Sequence, residues 1–311
     1  MSTSDSTPQG AVEGRPPEVT VAIIFYNAMP HFKAALASVL MQTFADWELL
    51  LVDDGSTDGS LEFARSVRDP RVRVFSDGFN LKLNVRLNQS IAHARGRYYF
   101  RMDADDMMFP HRIERQLSAL RDGDNRTVVG ARAVCINQQN TIIGLRAANE
   151  SLRNVRDARH AFIHPTVCAS TEWFRRNKYS EEFLFHRSQD AELWTRTWAG
   201  SRFVHLAEPL LFYRENETIQ VENYIGSALG MCMIAYRQYS LRAHSRLLWI
   251  GSELLRCWGV CVYATMGIGH RIVRRRNRSI EPSDAAKFEE IKTRIMTNTP
   301  TPAAESALAP R

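Results

Sequence analysis

Along the first 120 residues, short apolar runs alternate with amphipathic stretches of helical period. Val19 to Phe25 is a largely apolar run of strand length, followed by the loop Tyr26-Asn27-Ala28-Met29-Pro30. From His31 to Gln42, Phe32, Ala35, Leu36, Val39 and Leu40 recur on one helix face. The same reading predicts strands over Trp47 to Val52, Arg71 to Phe75 and Tyr98 to Met102. Between them it predicts helices through Leu61-Phe63-Ala64, over Leu83 to Ala94, and through Ile113, Leu117 and Leu120. Such alternation predicts βαβ units and an α/β fold with a mostly parallel central sheet. From about Thr127 the pattern changes. Val128 to Cys135 and Thr141 to Leu145 flank Gln138-Gln139-Asn140 and read as two strands joined by a polar turn. Helices are expected near 150–161 and 189–199, around a loop that holds His164-Pro165-Thr166.

The last hundred residues differ. Leu247 to Gly269 is almost wholly apolar, interrupted by Ser252, Glu253 and Arg256. It approaches the roughly 20 residues that span a bilayer, yet Glu253 and Arg256 would be costly at its centre. A helix lying at a membrane interface is the expectation, against a packing helix or a true span. Between Asn223 and Ile280 nine arginines face one acid, Glu253, although the whole chain carries only +6. A basic excess confined to one end predicts contact with an anionic membrane surface there, and no nucleic-acid partner. The expected organisation is a flexible leader over 1–17, one domain over 18–220, a basic and apolar helical region over 221–296, and a flexible tail over 297–311. The five cysteines are scattered without a CxxC pair, which excludes a disulfide framework and a zinc site and suits a cytoplasmic protein.

Candidate chemistry sits at two strand ends. Asp103, Asp105 and Asp106 follow the apolar Tyr98-Tyr99-Phe100, and Asp53-Asp54-Gly55-Ser56-Thr57-Asp58 follows Leu49-Leu50-Leu51. Carboxylates this close repel one another unless a cation shares the site, and a hard divalent ion that also holds phosphate oxygens suits them. A pair of such loops reads as a nucleotide-and-metal crevice at the carboxyl edge of a sheet; singly, each could be a solvated turn. No GxGxxG follows the first strand, which argues against a dehydrogenase.

These residues resemble the family 2 glycosyltransferases. The resemblance runs through Val21 to Asn27, Ser38 to Phe44, Trp47-Glu48, Val52 to Asp58, Ala94 to Tyr98, Met102 to Asp106 and Pro110 to Ile113. It continues through His164 to Val167, Asp190 to Trp194 and Glu208 to Leu211, covering roughly 19–215. It implies a GT-A fold whose nucleotide-sugar-binding half (18–126) and acceptor half (127–220) share one sheet. It also implies transfer of a sugar, with inversion, from a nucleoside-diphosphate sugar (a UDP-sugar by family habit) to the hydroxyl of a saccharide or lipid-linked acceptor. A Mn2+ or Mg2+ cofactor and a place at the cytoplasmic face of a membrane follow from the same likeness.

Roles carry over residue by residue. Asp54 corresponds to the carboxylate that bonds the nucleobase, with Tyr26 and Asn27 against base and ribose. Asp103 and Asp105 form the DxD pair, Asp105 as the metal ligand and Asp103 on ribose or donor sugar; Asp106 is the weaker candidate. Asp190 corresponds to the catalytic base, against the plain readings that it caps a helix or that Glu192 holds the role. Gln189 and Ala191 depart from the family's usual Glu and aromatic there, which predicts a less elevated pKa than a carboxylate pair would give. His164 and Arg214 are candidate acceptor or diphosphate contacts, and Lys82 and Arg86 could reach the diphosphate. A nucleotidyltransferase would carry a Gly-rich basic loop where Phe25 to Pro30 stands. A catalytically degenerate scaffold is the remaining alternative.

Overall fold

The computed structural model describes residues 15–148, 151–216, 220–238, 241–267 and 276–300. Most of the expected leader and tail, Arg271, Arg274 and Arg275 of the basic stretch, and 149–150 of an expected helix lie outside the described residues.

Four parallel strands form one side of the sheet in the order β3 (Val72–Phe75), β2 (Trp47–Asp53), β1 (Val19–Phe25), β4 (Tyr98–Asp103). β1 and β2 are buried along their whole length, which explains why they read as unbroken apolar runs. Alternate residues serve opposite faces. Val21, Ile23 and Phe25 pack with α1 (Phe32–Leu40), α2 (Ser60–Ser66) and α4 (Arg112–Arg121) through Leu36, Phe63 and Leu117. Ala22 and Ile24 pack with α3 (Leu83–His93), α6 (Thr171–Arg176) and α7 (Gln189–Thr197) through Leu87, Phe174 and Trp194. Gly96 sets the entry to β4 against β1: a Cβ there would lie 2.4 Å from the Thr20 nitrogen.

The sheet continues beyond β4 and becomes mixed. β8 (Cys168–Ser170) pairs antiparallel with both β4 and β6 (Thr127–Ile136). β6 carries β7 (Ile142–Arg146) antiparallel, and β9 (Arg202–Arg214) runs parallel to it. The two-residue β5 (Met107–Met108) closes the edge against β9. β9 is hidden in the sequence because Arg202, His205, Glu208 and Pro209 break its apolar pattern. The register shifts on either side of Arg132, where Pro209 faces it, so the bulge takes up a residue that cannot donate to a ladder. Of the helix expected over 150–161, only α5 (Val155–Ala158) forms, capped by the Asn154 side chain accepting from the amides of Arg156 and Asp157.

Helices α8 (Val221–Arg237) and α9 (Ala243–Thr265) pack beside α7 around Phe185, Met231, Ile234 and Trp249. α9 has an inverted polarity. Glu253 points inward to an ion pair with Arg159, while Leu247, Leu255 and Trp258 are each about two-thirds exposed. Among the described residues it is the one helix long and apolar enough to cross a membrane. A last helix, α10 (Pro282–Thr297), returns to the sheet edge, where Phe288 and Ile295 pack with Phe109 and Val134. It extends through Thr297, the first residue of the expected tail.

Candidate active site

The chain leaves β1 for β2 and β3 on one side and comes back to β4 on the other. The loops after β1 and β4 therefore diverge, opening a crevice at the carboxyl ends of the strands. The loops after β1 and β2 are laced together. The amides of Asn27, Ala28 and Met29 donate to Ser56 Oγ, Ser60 Oγ and Asp58 Oδ2, and Asn27 Oδ1 accepts from Thr57 at 2.8 Å. Asn27 adopts φ +47°, a conformation asparagine tolerates, and Tyr26 is left half exposed at the crevice. Gly55, at φ +81°, lies so close to the Phe79 main chain that a Cβ would stand 3.0 Å from its carbonyl carbon.

Asp54 is buried and heavily engaged. Its Oδ1 accepts from the Leu81 amide at 2.7 Å and from Arg86 Nε at 3.0 Å, and its Oδ2 from the Lys82 amide at 3.2 Å. Arg86 is itself buried and spends its remaining donors on Asp77, Gln89 and the Phe79 carbonyl. It therefore supports the 77–82 loop with its donors engaged inside the protein, whereas Lys82 is exposed.

The acidic cluster ends β4. Carboxylate oxygens of Asp103, Asp105 and Asp106 lie within 4.8 Å of one another. Arg101, two residues back on the same face of the strand, grips Asp103 with both terminal nitrogens, one at 2.9 Å. Asp106 is fully buried: its Oδ1 accepts from the Arg214 amide at 2.8 Å and its Oδ2 has no partner. Asp105 is open to solvent on one side, yet desolvation by the surrounding protein and the neighbouring Asp103 push its carboxyl up to about 6; burial, Asp105 and Asp103 push Asp106 well above the ordinary range. Thus even with Arg101 and Arg214 nearby, the cluster lacks positive charge. Oxygen-only donors, an orphaned buried oxygen and this deficit fit a hard divalent cation.

Arg214 closes the cluster from the β9 side. Its Nε donates to the Asp105 carbonyl at 2.9 Å, Nη1 to the Asn137 carbonyl and Nη2 to Asn140 Oδ1, each at 2.6 Å. Three of its five N–H groups are so committed, and two have no partner among the described residues.

A cavity of about 650 Å³ runs from this cluster to the start of α7. Asp103, Arg101, His164, Gln189 and Asp190 all line it. Ser188 is the N-cap of α7, so Asp190 sits inside the first turn and is not the cap. Burial raises its carboxyl above the ordinary value, Arg101 opposing and Asp103 adding to the shift. Gln189 is buried with Oε1 unpartnered. His164 is buried, 2.9 Å from the Tyr179 hydroxyl, and burial with the nearby Arg101 holds its imidazole well below the usual range, hence neutral. Glu192 is engaged with Arg196 at 2.7 Å.

A sequence model for glycosyl transferase family 2 matches residues 20–184, more than half of the chain. The chain belongs to that family. Its fold is GT-A, with a central mixed sheet and a C-terminal helical region. Among the relatives of this family 2 member, EpsE of Bacillus subtilis, assigned as a glycosyltransferase, is 30% identical over 209 residues, covering 64% of this chain and 74% of EpsE. The UDP-Glc:alpha-D-GlcNAc-diphosphoundecaprenol beta-1,3-glucosyltransferase WfgD of Escherichia coli is 28% identical over 134 residues, 43% of this chain and 52% of WfgD. The mannosyltransferase PcManGT of Pyrobaculum calidifontis, solved with GDP-Man and Mn2+, superposes with a TM-score of 0.52 at 16% identity, covering 94% of this chain and 89% of that one.

Two features of this family 2 site escape the sequence reading. Arg101, which neutralises Asp103, sits in an apolar strand and gives no signal beyond being charged in such a run. Tyr179, the partner of His164, lies 15 residues downstream in a segment without periodicity.

Proposed function

We propose that the protein is an inverting, divalent-metal-dependent glycosyltransferase acting on a nucleoside-diphosphate sugar and an acceptor hydroxyl. The observation that carries this reading is that Asp103 of the acidic cluster and Asp190 line one cavity. A donor diphosphate against the cluster and an acceptor hydroxyl against Asp190 would then approach the anomeric carbon from opposite sides, as inversion requires. Residues 18–126 form the donor half in this reading and 127–220 the acceptor half.

Asp105 and Asp106 would hold the cation, with Asp103, bonded to Arg101, toward ribose or donor sugar. When bound, a divalent ion supplies Lewis-acid stabilisation to the diphosphate leaving group. Asp190 accepts the acceptor hydroxyl proton. That oxygen bonds to the anomeric carbon, and the sugar–phosphate bond breaks with its electrons leaving on the diphosphate. The raised Asp190 carboxyl is a stronger base than a solvated one. His164, neutral and fixed by Tyr179, and Arg214, with two donors left, are placed to bond phosphate or acceptor oxygens. Tyr26 and Asn27 receive base and ribose; Asp54 acts partly through the 79–82 loop that it holds.

Uridine is the favoured base, supported by the WfgD donor, and a role in cell-surface polysaccharide or glycolipid assembly is supported by that relative's diphosphoundecaprenol-linked acceptor. A peripheral position on the inner face of the membrane is supported by the outward apolar side of α9. A thermal-shift screen of nucleoside diphosphates with and without Mn2+ tests the core of the reading. One nucleotide is expected to stabilise the wild type only with metal, and Asp105→Ala to lose the effect. Equal shifts in both proteins would remove the metal assignment, and no donor hydrolysis or transfer at all would leave a binding scaffold.

A further inference from the structure

We propose that the cavity between Asp190 and helices α8 and α9 is a subsite for a phosphoryl group, so that the acceptor is a phosphate- or diphosphate-bearing molecule. The word acceptor rests on the reading of Asp190 as the base; the phosphoryl chemistry rests on the cavity alone. This space, about 590 Å³, adjoins the donor-side cavity, and Asp190, Arg146, Arg159, His160 and Arg187 are in the wall they share, whereas Arg256 and Arg276 line this space alone.

Its lining is unusual in charge. Arg146 from β7, Arg159 after α5, Arg187 before α7, Arg256 from α9 and Arg276 converge on it, against two carboxylates, Asp190 and Glu253. Glu253 is already shared: its Oε1 lies 2.6 Å from Arg159 and its Oε2 3.7 Å from Arg256. Arg146 pairs with Glu215, which is not in the lining. Arg187 and Arg276 are exposed and have no carboxylate partner among the described residues. Bringing five guanidinium groups together from separate elements is unfavourable unless an anion joins them. His160, exposed at its surface yet enclosed by surrounding protein, has its imidazole pushed down to about 4, first by desolvation and then by Arg159, Arg256 and Arg276. Planar, always-charged guanidinium forks match phosphate oxygens, two bonds at a time. A simple carbohydrate acceptor would need hydroxyl-binding groups here and gain nothing from surplus cations. Met231 and Val260 supply an apolar flank.

The test is calorimetric titration of inorganic pyrophosphate and of farnesyl diphosphate into the full chain in EDTA, which removes any metal-bridged binding at the acidic cluster. Wild type, Arg187→Gln/Arg276→Gln and Arg187→Lys/Arg276→Lys are compared. The expected result is binding to wild type, weakening of roughly tenfold or more in the Gln pair, and substantial recovery in the Lys pair. Farnesyl diphosphate binding more tightly than pyrophosphate would assign the phosphoryl group to an isoprenoid lipid; equal affinity would assign it to a water-soluble phosphorylated acceptor. No binding to wild type, or equal binding to wild type and the Gln pair, overturns the proposal. The metal-dependent thermal shift by nucleoside diphosphate should be unchanged in the single variant Arg276→Gln, because Arg276 lines this cavity and not the donor-side one. Its absence from wild type would fell the donor assignment while leaving the outcome at the arginines readable.

Discussion

The two sides of the Asp190 cavity are built on opposite electrostatic terms. Toward β1, β2 and β4, the polar groups that shape the crevice are mutually satisfied: Asp54 with Arg86, Asn27 with Thr57, Asp58 with the Met29 amide. The shortage there is confined to the Asp105–Asp106 cluster, and it is a shortage of positive charge. Toward α8 and α9 the shortage is of negative charge, with arginines left over once Glu253 is shared. A rigid frame with one carboxylate cluster short of positive charge suits a donor whose diphosphate arrives with a metal. A wall with surplus cations suits a partner that brings its own negative charge.

Several experiments sharpen or break that contrast. The largest effect is expected from Asp190→Asn, which keeps shape and removes the base. Turnover should fall by about 10²–10⁴-fold with donor binding intact; near-normal transfer would move the base elsewhere. With Asp190 as the proposed base, transfer would need its ionised carboxylate. Because burial raises the folded pKa of Asp190, the rate should be full at higher pH and decline as pH falls through a value above the ordinary aspartate range. A rate profile flat down to the ordinary range would contradict this.

Next comes Arg86→Met, aimed at the frame of the donor side. It leaves Asp54 buried without its charge partner and should cost about 3 kcal/mol in denaturant unfolding. Arg86 also holds the Asp77 carboxyl down to about 2. That part of the stability is full above the ordinary value of 3.8 and lost as pH falls from there toward 2, so the variant should lose this acid dependence. An unchanged unfolding midpoint would mean that the loop is held by other means.

A smaller effect is expected on the far side. Replacing Leu247, Leu255 and Trp258 by Glu should reduce co-sedimentation with phosphatidylglycerol vesicles severalfold while leaving the thermal melt unchanged. Equal sedimentation would show that this face meets protein or water instead.

Much of residues 18–126, the proposed donor half, is legible in the sequence because its central strands are buried on both faces and its helices on one. Val19–Phe25 and Trp47–Asp53 announce themselves as apolar runs, and α3 starts at Leu83 as the pattern predicts. The acidic loops are equally plain, since strand ends fix where Asp54 and Asp103 must emerge. The acceptor half is less so. β9 mixes charge, proline and apolar residues because its partner bulges to receive it, and β8 is only three residues long. The arginine excess after Asn223 is visible in the chain, but Arg146, Arg159 and Arg187 join it only through folding. Asp106 ranks low by motif and gains weight from an oxygen that burial leaves without a donor.

Arg214 has a consequence for motion. Its main chain holds Asp106 while its guanidinium ties the Asp105 carbonyl to the Asn137–Asn140 turn, so the acidic loop and the far end of β6 are fastened by one residue. A shift of that loop on ligand capture would tug the turn with it. Amide exchange around Asn140, distant in sequence from every donor-contacting residue, should therefore slow when nucleotide and Mn2+ are added.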